Sequence, residues 1–219
     1  MSYSLKTTIL NPLSKEKPKN AVILCHGYGG DGKDISLLAN YWQTFLPETI
    51  FICPDAPEKC KVSSTGYQWF DLMDQAPDQI LAKSLLAEMK LNTLIDEVKK
   101  KNEISANEIA LGGFSQGCMI SLQTGIKRKD KINCILGYSG KIIDLNHLEK
   151  NINSRPEIIL MHGDKDEVVP ISSLLEAKDF FNKKNYQIET KIFKDCEHRI
   201  PTEGTSLGLK FIKRNLYKL

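Results

Sequence analysis

The sequence lacks the marks of several protein classes. None of its six cysteines forms a C-x-x-C pair, which argues against zinc-ribbon and thioredoxin-like sites. No stretch approaches the roughly 18 apolar residues of a membrane-spanning helix. The N-terminus, Met-Ser-Tyr-Ser-Leu-Lys, lacks the apolar run of about 7–15 residues that a secretory signal needs. We therefore expect a cytoplasmic protein without stable membrane insertion, whose cysteines are small buried hydrophobic residues.

The sequence also has no large excess of charge of one sign, because it contains 30 lysines and arginines and 27 aspartates and glutamates. The densest basic stretches, residues 99–101 and 127–131, lie at predicted helix ends, where cations offset the helix dipole. This pattern favours solvated helix ends over a nucleic-acid surface. The glycines do not have the spacing of the G-x-G-x-x-G motif, and no G-K-[ST] motif follows them. No nucleotide-binding site is therefore predicted. No cluster has ligand spacing for zinc, and we expect neither metal nor cofactor.

What is present is a regular alternation of short apolar runs with longer helical patterns. This alternation is typical of a parallel sheet covered by helices, and the 219 residues suit one α/β domain, 1–219. Strands are predicted at residues 21–25, 49–53, 108–112, 132–138, 157–161 and 187–193, with an antiparallel edge strand at 5–10. Helices are predicted at residues 34–45, 78–101, 116–127, 171–183 and 202–217. The long segments 54–77 and 139–156 are expected to be functional or covering elements, too short for a large lid domain.

The sharpest motif is Gly113-Phe114-Ser115-Gln116-Gly117, between a predicted strand and a predicted helix. A sharp strand-to-helix turn strains the backbone of its corner residue, and flanking glycines remove the side chains that would collide there. Ser115 would then stand clear of the sheet at a helix N-terminus, as a nucleophile does. The alternative is an ordinary glycine-rich turn capped by serine.

A serine nucleophile needs a base and an orienting acid, and in this architecture they follow it in the order acid, then histidine. Asp166 follows the strand at 157–161, and His198 follows the strand at 187–193. His26, His147 and His162 all precede Asp166 in the chain and fail this order. Asp164 and Asp195 compete for the role of the acid, but short acidic residues in such turns usually bond their own backbone.

An oxyanion hole is expected in the glycine-rich segment His-Gly-Tyr-Gly-Gly at residues 26–30, which follows the first central strand. The predicted donors are the backbone N–H groups of Tyr28 and of Gln116, the residue after the nucleophile. If Gln116 acts through its backbone, its side chain is expected to be dispensable for the chemistry.

Together with Trp69-Phe70-Asp71 and the stretch His-Gly-Asp-x-Asp-x-Val-Val-Pro at 162–170, these motifs resemble the small carboxylesterase/phospholipase family of α/β-hydrolases, over roughly residues 20 to 200. That resemblance implies an α/β-hydrolase fold and a serine hydrolase for short or medium acyl esters, lysophospholipids or acyl thioesters. It implies Ser115, Asp166 and His198 as the triad and Tyr28 and Gln116 as oxyanion-hole amides. Trp69 would be a substrate-pocket residue or, equally, a packed core tryptophan.

Two positions depart from the family pattern, which often has leucine where this chain has Tyr28 and glycine where it has Glu197. The first bears on acyl-chain preference and the second on how His198 titrates. Two other functions stay open: a small serine peptidase of the same fold and an inert hydrolase-fold binding protein. The sequence does not define the oligomeric state.

Overall fold

The computed structural model describes residues 3–73 and 76–217, and its main element is a seven-stranded sheet in the order β1-β3-β2-β6-β7-β8-β9. Strand β1 pairs antiparallel with β3 and every other pairing is parallel, as the sequence predicts. The sheet strands are β1 (Thr7–Leu10), β2 (Asn20–Cys25), β3 (Thr49–Pro54), β6 (Ile109–Phe114), β7 (Cys134–Tyr138), β8 (Glu157–Gly163) and β9 (Glu189–Phe193). A separate two-stranded hairpin consists of β4 (Glu58–Lys59) and β5 (Tyr67–Gln68).

In the part of the chain that the structure describes, six α-helices accompany the sheet: α1 (Gly32–Trp42), α2 (Pro77–Asn102), α3 (Gln116–Lys127), α4 (Leu145–Lys150), α5 (Ser172–Lys183) and α6 (Thr202–Tyr217). The predicted elements differ from these by a few residues at their ends. The β4–β5 hairpin and helix α4 were not predicted, and they lie in the two long segments 54–77 and 139–156. Both elements are small, and the described residues contain no large lid domain.

The core lies on both faces of the sheet, because alternate strand residues point to opposite sides. On β2, Ala21 and Ile23 join one buried cluster while Val22 and Leu24 join the other. The first cluster includes Leu91 and Leu94 of α2, and the second includes Trp42 of α1 and Phe211 of α6. The result is an α/β sandwich in which helices cover both faces of the sheet.

The cysteines are buried, as the sequence predicts, and basic side chains at helix ends form ion pairs. All six thiols are free and buried. Lys99 Nζ lies 2.5 Å from an oxygen of Asp130, and an Arg128 nitrogen lies 2.6 Å from an oxygen of Asp96. Lys99 and Arg128 of the basic stretches are thus engaged in ion pairs at helix ends. Within the described ranges, no helix combines the length and the apolar character needed to cross a bilayer.

Candidate active site

The turn between β6 and α3 holds Ser115 in a conformation that side-chain-bearing residues rarely adopt, with φ 53° and ψ −118°. Its amide donates to the Tyr138 carbonyl at 2.8 Å, and its carbonyl accepts from the Met119 amide at 3.1 Å. These bonds tie the corner to β7 on one side and to the first turn of α3 on the other. A strained position of this kind persists because its surroundings fix it, and such positions cluster at active sites.

The glycines of the motif allow this turn to pack against β2. A Cβ on Gly117 would lie 2.0 Å from the Cys25 carbonyl oxygen, and one on Gly113 would lie 2.6 Å from the same oxygen. No side chain fits at either position, because both contacts are with backbone. The close approach brings the start of α3 against the end of β2, where the glycine-rich segment 26–30 begins.

Asp166 lies in the turn after β8 and is buried. Its Oδ1 accepts from the Val168 amide at 3.0 Å and from the Val169 amide at 2.8 Å. Burial acts to raise the pKa of Asp166, but the hydrogen bonds from His198 and from the two amides outweigh it and hold the pKa below the ordinary value. The carboxylate is therefore ionised at neutral pH.

His198 follows β9, and its Nδ1 lies 2.7 Å from Asp166 Oδ2. An ionised carboxylate only accepts hydrogen bonds, so Nδ1 carries the proton and Nε2 presents its lone pair. The imidazole packs on the Phe114 ring with the ring centroids 4.7 Å apart. Since Phe114 directly precedes Ser115, this contact places the imidazole near the strained corner. Among the described residues no hydrogen bond joins the Ser115 hydroxyl to His198, and such bonds in substrate-free enzymes are often long and tighten when substrate binds.

The competing histidines and acids have other partners. His162 is buried, its Nε2 donates to the Val169 carbonyl at 2.7 Å, and burial lowers its pKa, so it is neutral. Its Nε2 also lies 3.4 Å from Asp166 Oδ2. Asp164 accepts from the Cys196 amide at 3.3 Å, and the exposed Asp195 pairs with Lys165 at 2.6 Å. His147 lies on α4 beside Lys127.

The segment 26–30 lies against the same corner, since a Cβ on Gly27 would be 3.3 Å from the Ser115 Cβ. The backbone of Tyr28 is the predicted donor of this segment, and Gln116 contributes the first amide of α3. Burial, with the nearby Cys60 thiol and Asp71 carboxylate, raises the pKa of Tyr28 to about 12. Its phenol is thus neutral at physiological pH.

The long segment 54–77 holds this glycine-rich segment in place, a role that the sequence did not indicate. The Gly29 amide donates to the Tyr67 carbonyl at 2.9 Å, and the Tyr67 amide donates to the Gly30 carbonyl at 2.8 Å. His26 Nε2 accepts from the Ala56 amide at 2.9 Å. The candidate oxyanion segment is therefore bonded to segment 54–77 through its backbone and through the His26 side chain.

Trp69 and Gln116 form a second connection, between segment 54–77 and the active-site corner. Both side chains are fully buried. The Trp69 indole donates to the His26 carbonyl at 3.0 Å. The Gln116 side chain accepts from the Trp69 amide at 2.8 Å and donates to the Phe70 carbonyl at 2.6 Å. Trp69 occupies a packed core position, and the Gln116 side chain joins helix α3 to segment 54–77.

Glu197 has an exposed side chain. It borders an open depression of about 330 Å³ together with Lys165, Glu167, His198 and Arg199. Its predicted influence on the titration of His198 stays a prediction. Within the described residues, no group of three or more histidine, cysteine or acidic side chains has an arrangement that could hold a metal ion.

The role of Gln116 leads to a prediction about Gln116→Ala. The change removes two buried hydrogen bonds and leaves the Trp69 amide and Phe70 carbonyl without partners, which costs about 2–4 kcal/mol of unfolding free energy. Because the backbone N–H of residue 116 remains, kcat/KM falls by less than the ~10²–10³-fold typical of losing an oxyanion donor. Urea unfolding and ester kinetics at a temperature where the variant is folded measure the two effects.

Gln123→Ala is the matched control, since Gln123 is another buried amide on α3 that bonds Ser84 and Glu88 instead of segment 54–77. We expect a comparable loss of stability with wild-type kcat/KM. Equal stabilities of Gln116→Ala and wild type would contradict the connecting role of Gln116.

Comparisons with known proteins identify the family of this chain. The model of the phospholipase/carboxylesterase family matches residues 9–216. Acyl-protein thioesterase 1 of Saccharomyces cerevisiae is 33% identical, with 90% of this chain and 93% of that protein covered. The enzyme of the same name from Kluyveromyces lactis is also 33% identical, with 93% and 95% covered.

Among solved structures, that of esterase PE8 is similar at 31% identity and a TM-score of 0.92, covering 97% of this chain and 99% of that one. The structure of Zea mays acyl-protein thioesterase 2, at 20% identity and a TM-score of 0.77, covers 96% and 99% and shares the fold. The fold and the strained serine corner define an α/β-hydrolase. The chain belongs to the phospholipase/carboxylesterase family, whose members hydrolyse ester bonds.

Proposed function

We propose that this protein is a serine esterase or thioesterase in which Ser115 is the nucleophile, His198 the general base and Asp166 the orienting acid. The observation that carries the proposal is the Asp166–His198 hydrogen bond of 2.7 Å, beside a serine at a strained strand-to-helix corner. Family membership supports the same chemistry. The residue assignments are those that the order along the chain predicts.

In the acylation step the Ser115 hydroxyl attacks the acyl carbonyl carbon and its proton passes to His198 Nε2. Asp166 keeps the imidazole in the tautomer that has Nε2 free and stabilises the imidazolium that forms. The imidazolium then protonates the departing alkoxide or thiolate as its bond to the carbonyl carbon breaks, which leaves an acyl-enzyme. Water attacks this ester with His198 again as the base, and Ser115 leaves with the proton.

The developing negative charge on the carbonyl oxygen is stabilised by the backbone N–H groups of Tyr28 and Gln116. Gln116 is the first residue of α3, so the free amides and the positive end of the helix dipole add to this stabilisation. Segment 26–30 is bonded to segment 54–77 through its backbone and the His26 side chain, and a preorganised donor needs little rearrangement when charge develops. This rigidity is the contribution of segment 54–77 to catalysis.

The substrates we propose are short to medium acyl esters and acyl thioesters, with lysophospholipids as a further class of acyl donor. The names of the two yeast relatives support the thioester activity. The free, buried thiols suit a reducing compartment, and we place the protein in the cytoplasm. The ion pairs of Lys99, Lys127 and Arg128 within the basic stretches favour helix ends over a nucleic-acid surface.

The test is a comparison of p-nitrophenyl butyrate, an S-butyryl thioester, a lysophospholipid and a butyryl p-nitroanilide, with fluorophosphonate labelling in parallel. We expect ester and thioester turnover, labelling at Ser115 and little anilide cleavage. Faster cleavage of the anilide than of the ester would identify a peptidase of this fold. Absence of both labelling and turnover would identify an inert binding protein.

A further inference from the structure

We propose that His162, a buried histidine outside the proposed triad, positions the orienting acid Asp166. This inference rests on the proposed function and adds a positioning residue to it. His162 precedes the acid in the chain and has no place in the triad itself. It acts on Asp166, and through Asp166 on the base His198.

His162 lies in apolar surroundings near the end of β8 and is 1% exposed. Its side chain is on the same face of the sheet as that of Leu160, because alternate strand residues share a face. Leu160 and Val169 both belong to the first buried cluster. Burial of an imidazole costs free energy that an aliphatic side chain would not cost. A histidine at this position therefore indicates that its hydrogen bond is needed.

The Nε2 atom of His162 contacts the turn that carries the acid. It lies 2.7 Å from the Val169 carbonyl oxygen and 3.4 Å from Asp166 Oδ2. A carbonyl only accepts hydrogen bonds, so Nε2 carries the proton. The Val169 amide in turn donates to Asp166 Oδ1 at 2.8 Å. The three residues form a closed ring around the carboxylate, with the Val169 amide at Oδ1 and the His162 N–H beside Oδ2.

The two halves of the acid turn are held in different ways. Its first half is tied to segment 193–196 by two backbone hydrogen bonds of 3.0 Å. Among the described residues, the hydrogen bonds that reach residues 166–169 from outside the turn come from His162 and His198. His198 is the group that the acid must orient. The support of the acid that does not depend on the base therefore comes from His162.

His162 is suited to this role because it is neutral. Burial lowers its pKa, and the Val169 carbonyl and the Asp166 carboxylate act the other way without outweighing burial. A neutral imidazole donates to the acid turn and leaves the charge of Asp166 to His198. A cation at this position would instead compete for the carboxylate with the imidazolium that forms during acylation.

The alternative is a histidine that only stabilises the end of β8. Such a histidine would affect the melting temperature, and its effect on turnover would not depend on Asp166. A positioning residue affects kcat, and it does so only while Asp166 can orient the base.

The experiment compares substitutions of His162 that keep or remove the donor. His162→Gln keeps an N–H donor near the position of Nε2. His162→Met and His162→Leu remove it, and the flexible methionine side chain adapts to the same space. We expect both donor-free variants to lower kcat for p-nitrophenyl butyrate by roughly 10–100-fold, because a misplacement of about 1 Å costs up to ~10²-fold. KM is expected to stay within about twofold, and His162→Gln is expected to recover most of the loss.

The same substitutions are then made in the Asp166→Asn protein. An acid that no longer orients the base leaves its positioning residue without effect, so His162→Met is expected to change kcat by less than about threefold there. Single-turnover measurements with enzyme in excess suit these slow reactions. A loss of the same size in both backgrounds would overturn the inference, since His162 would then act without Asp166.

Tyr186→Phe is the matched control. Tyr186 is buried, and its phenol donates to the carbonyl of Pro156, which directly precedes β8. This change also removes one buried donor to a carbonyl, at the opposite end of the same strand. We expect Tyr186→Phe and His162→Met to lower the melting temperature by a similar amount, roughly 2–10 °C. The fall in kcat is expected in His162→Met alone.

Wild-type kcat in either folded donor-free variant would overturn the inference, and so would equal losses in His162→Gln and His162→Met. The Asp166→Asn protein tests the proposed function separately. Wild-type kcat in Asp166→Asn would reject the assignment of the acid. A fall of about 10⁴-fold in Asp166→Asn, with no loss in His162→Met, would reject the role of His162 alone.

Discussion

Ser115→Ala is expected to lower kcat by about 10⁶-fold, the size of effect seen when a triad serine is removed. Only the catalysis from substrate binding and the oxyanion hole remains, roughly 10³–10⁴-fold over the reaction in water. Alanine keeps the Cβ at the corner, and the two backbone bonds of Ser115 involve its amide and carbonyl. The variant is therefore expected to melt within a few degrees of wild type and to show no fluorophosphonate labelling.

Ser121→Ala provides the control for this prediction. Ser121 is another buried serine on α3, whose hydroxyl donates to the Gly112 carbonyl at 3.2 Å. It lies away from the corner, and its variant is expected to retain labelling and turnover. Wild-type rates in a folded Ser115→Ala protein would show that the nucleophile has been assigned wrongly.

The second large effect is expected for Asp166→Asn, with a fall in kcat of about 10⁴-fold. The amide oxygen can still accept from the Val168 and Val169 amides, as Oδ1 does now. The amide nitrogen then replaces Oδ2 opposite His198 and donates where the carboxylate accepted. Nδ1 of the imidazole must become the acceptor, so the proton moves to Nε2 and the base loses its lone pair toward the serine.

Asp164→Asn is the matched control, two residues earlier in the same turn. Asp164 accepts a hydrogen bond from the Cys196 amide, and within the described ranges no hydrogen bond or ion pair joins it to His198. We expect it to keep at least about a tenth of wild-type kcat, since the amide oxygen of asparagine can still accept from the Cys196 amide. The opposite ranking of the two variants, measured with both proteins folded, would reassign the acid.

The strand-to-helix corner is the part of the site that sequence predicts best, because its geometry is local. Gly113 and Gly117 are needed at fixed offsets from Ser115 whatever the rest of the chain does, and both approach the Cys25 carbonyl oxygen too closely for a side chain. The order of acid and histidine along the chain is equally readable, since the ends of parallel strands meet at one edge of the sheet.

The boundaries of elements were less predictable. The strand before Ser115 was predicted at 108–112 and runs from Ile109 to Phe114. Its last residues include two glycines, which weaken a strand pattern, but pairing with β2 and β7 extends it. The hairpin β4–β5 and helix α4 are short elements inside long irregular segments, where no periodicity develops.

The sequence by itself determined the α/β-hydrolase architecture and the identities of the candidate nucleophile, acid and base, since these depend on local turns and on strand order. Only the tertiary structure decided what Trp69 and Gln116 do. The hydrogen bond from the Trp69 amide to the Gln116 side chain joins residues that are 47 positions apart in the chain. No local pattern encodes such a contact between an irregular segment and a helix terminus.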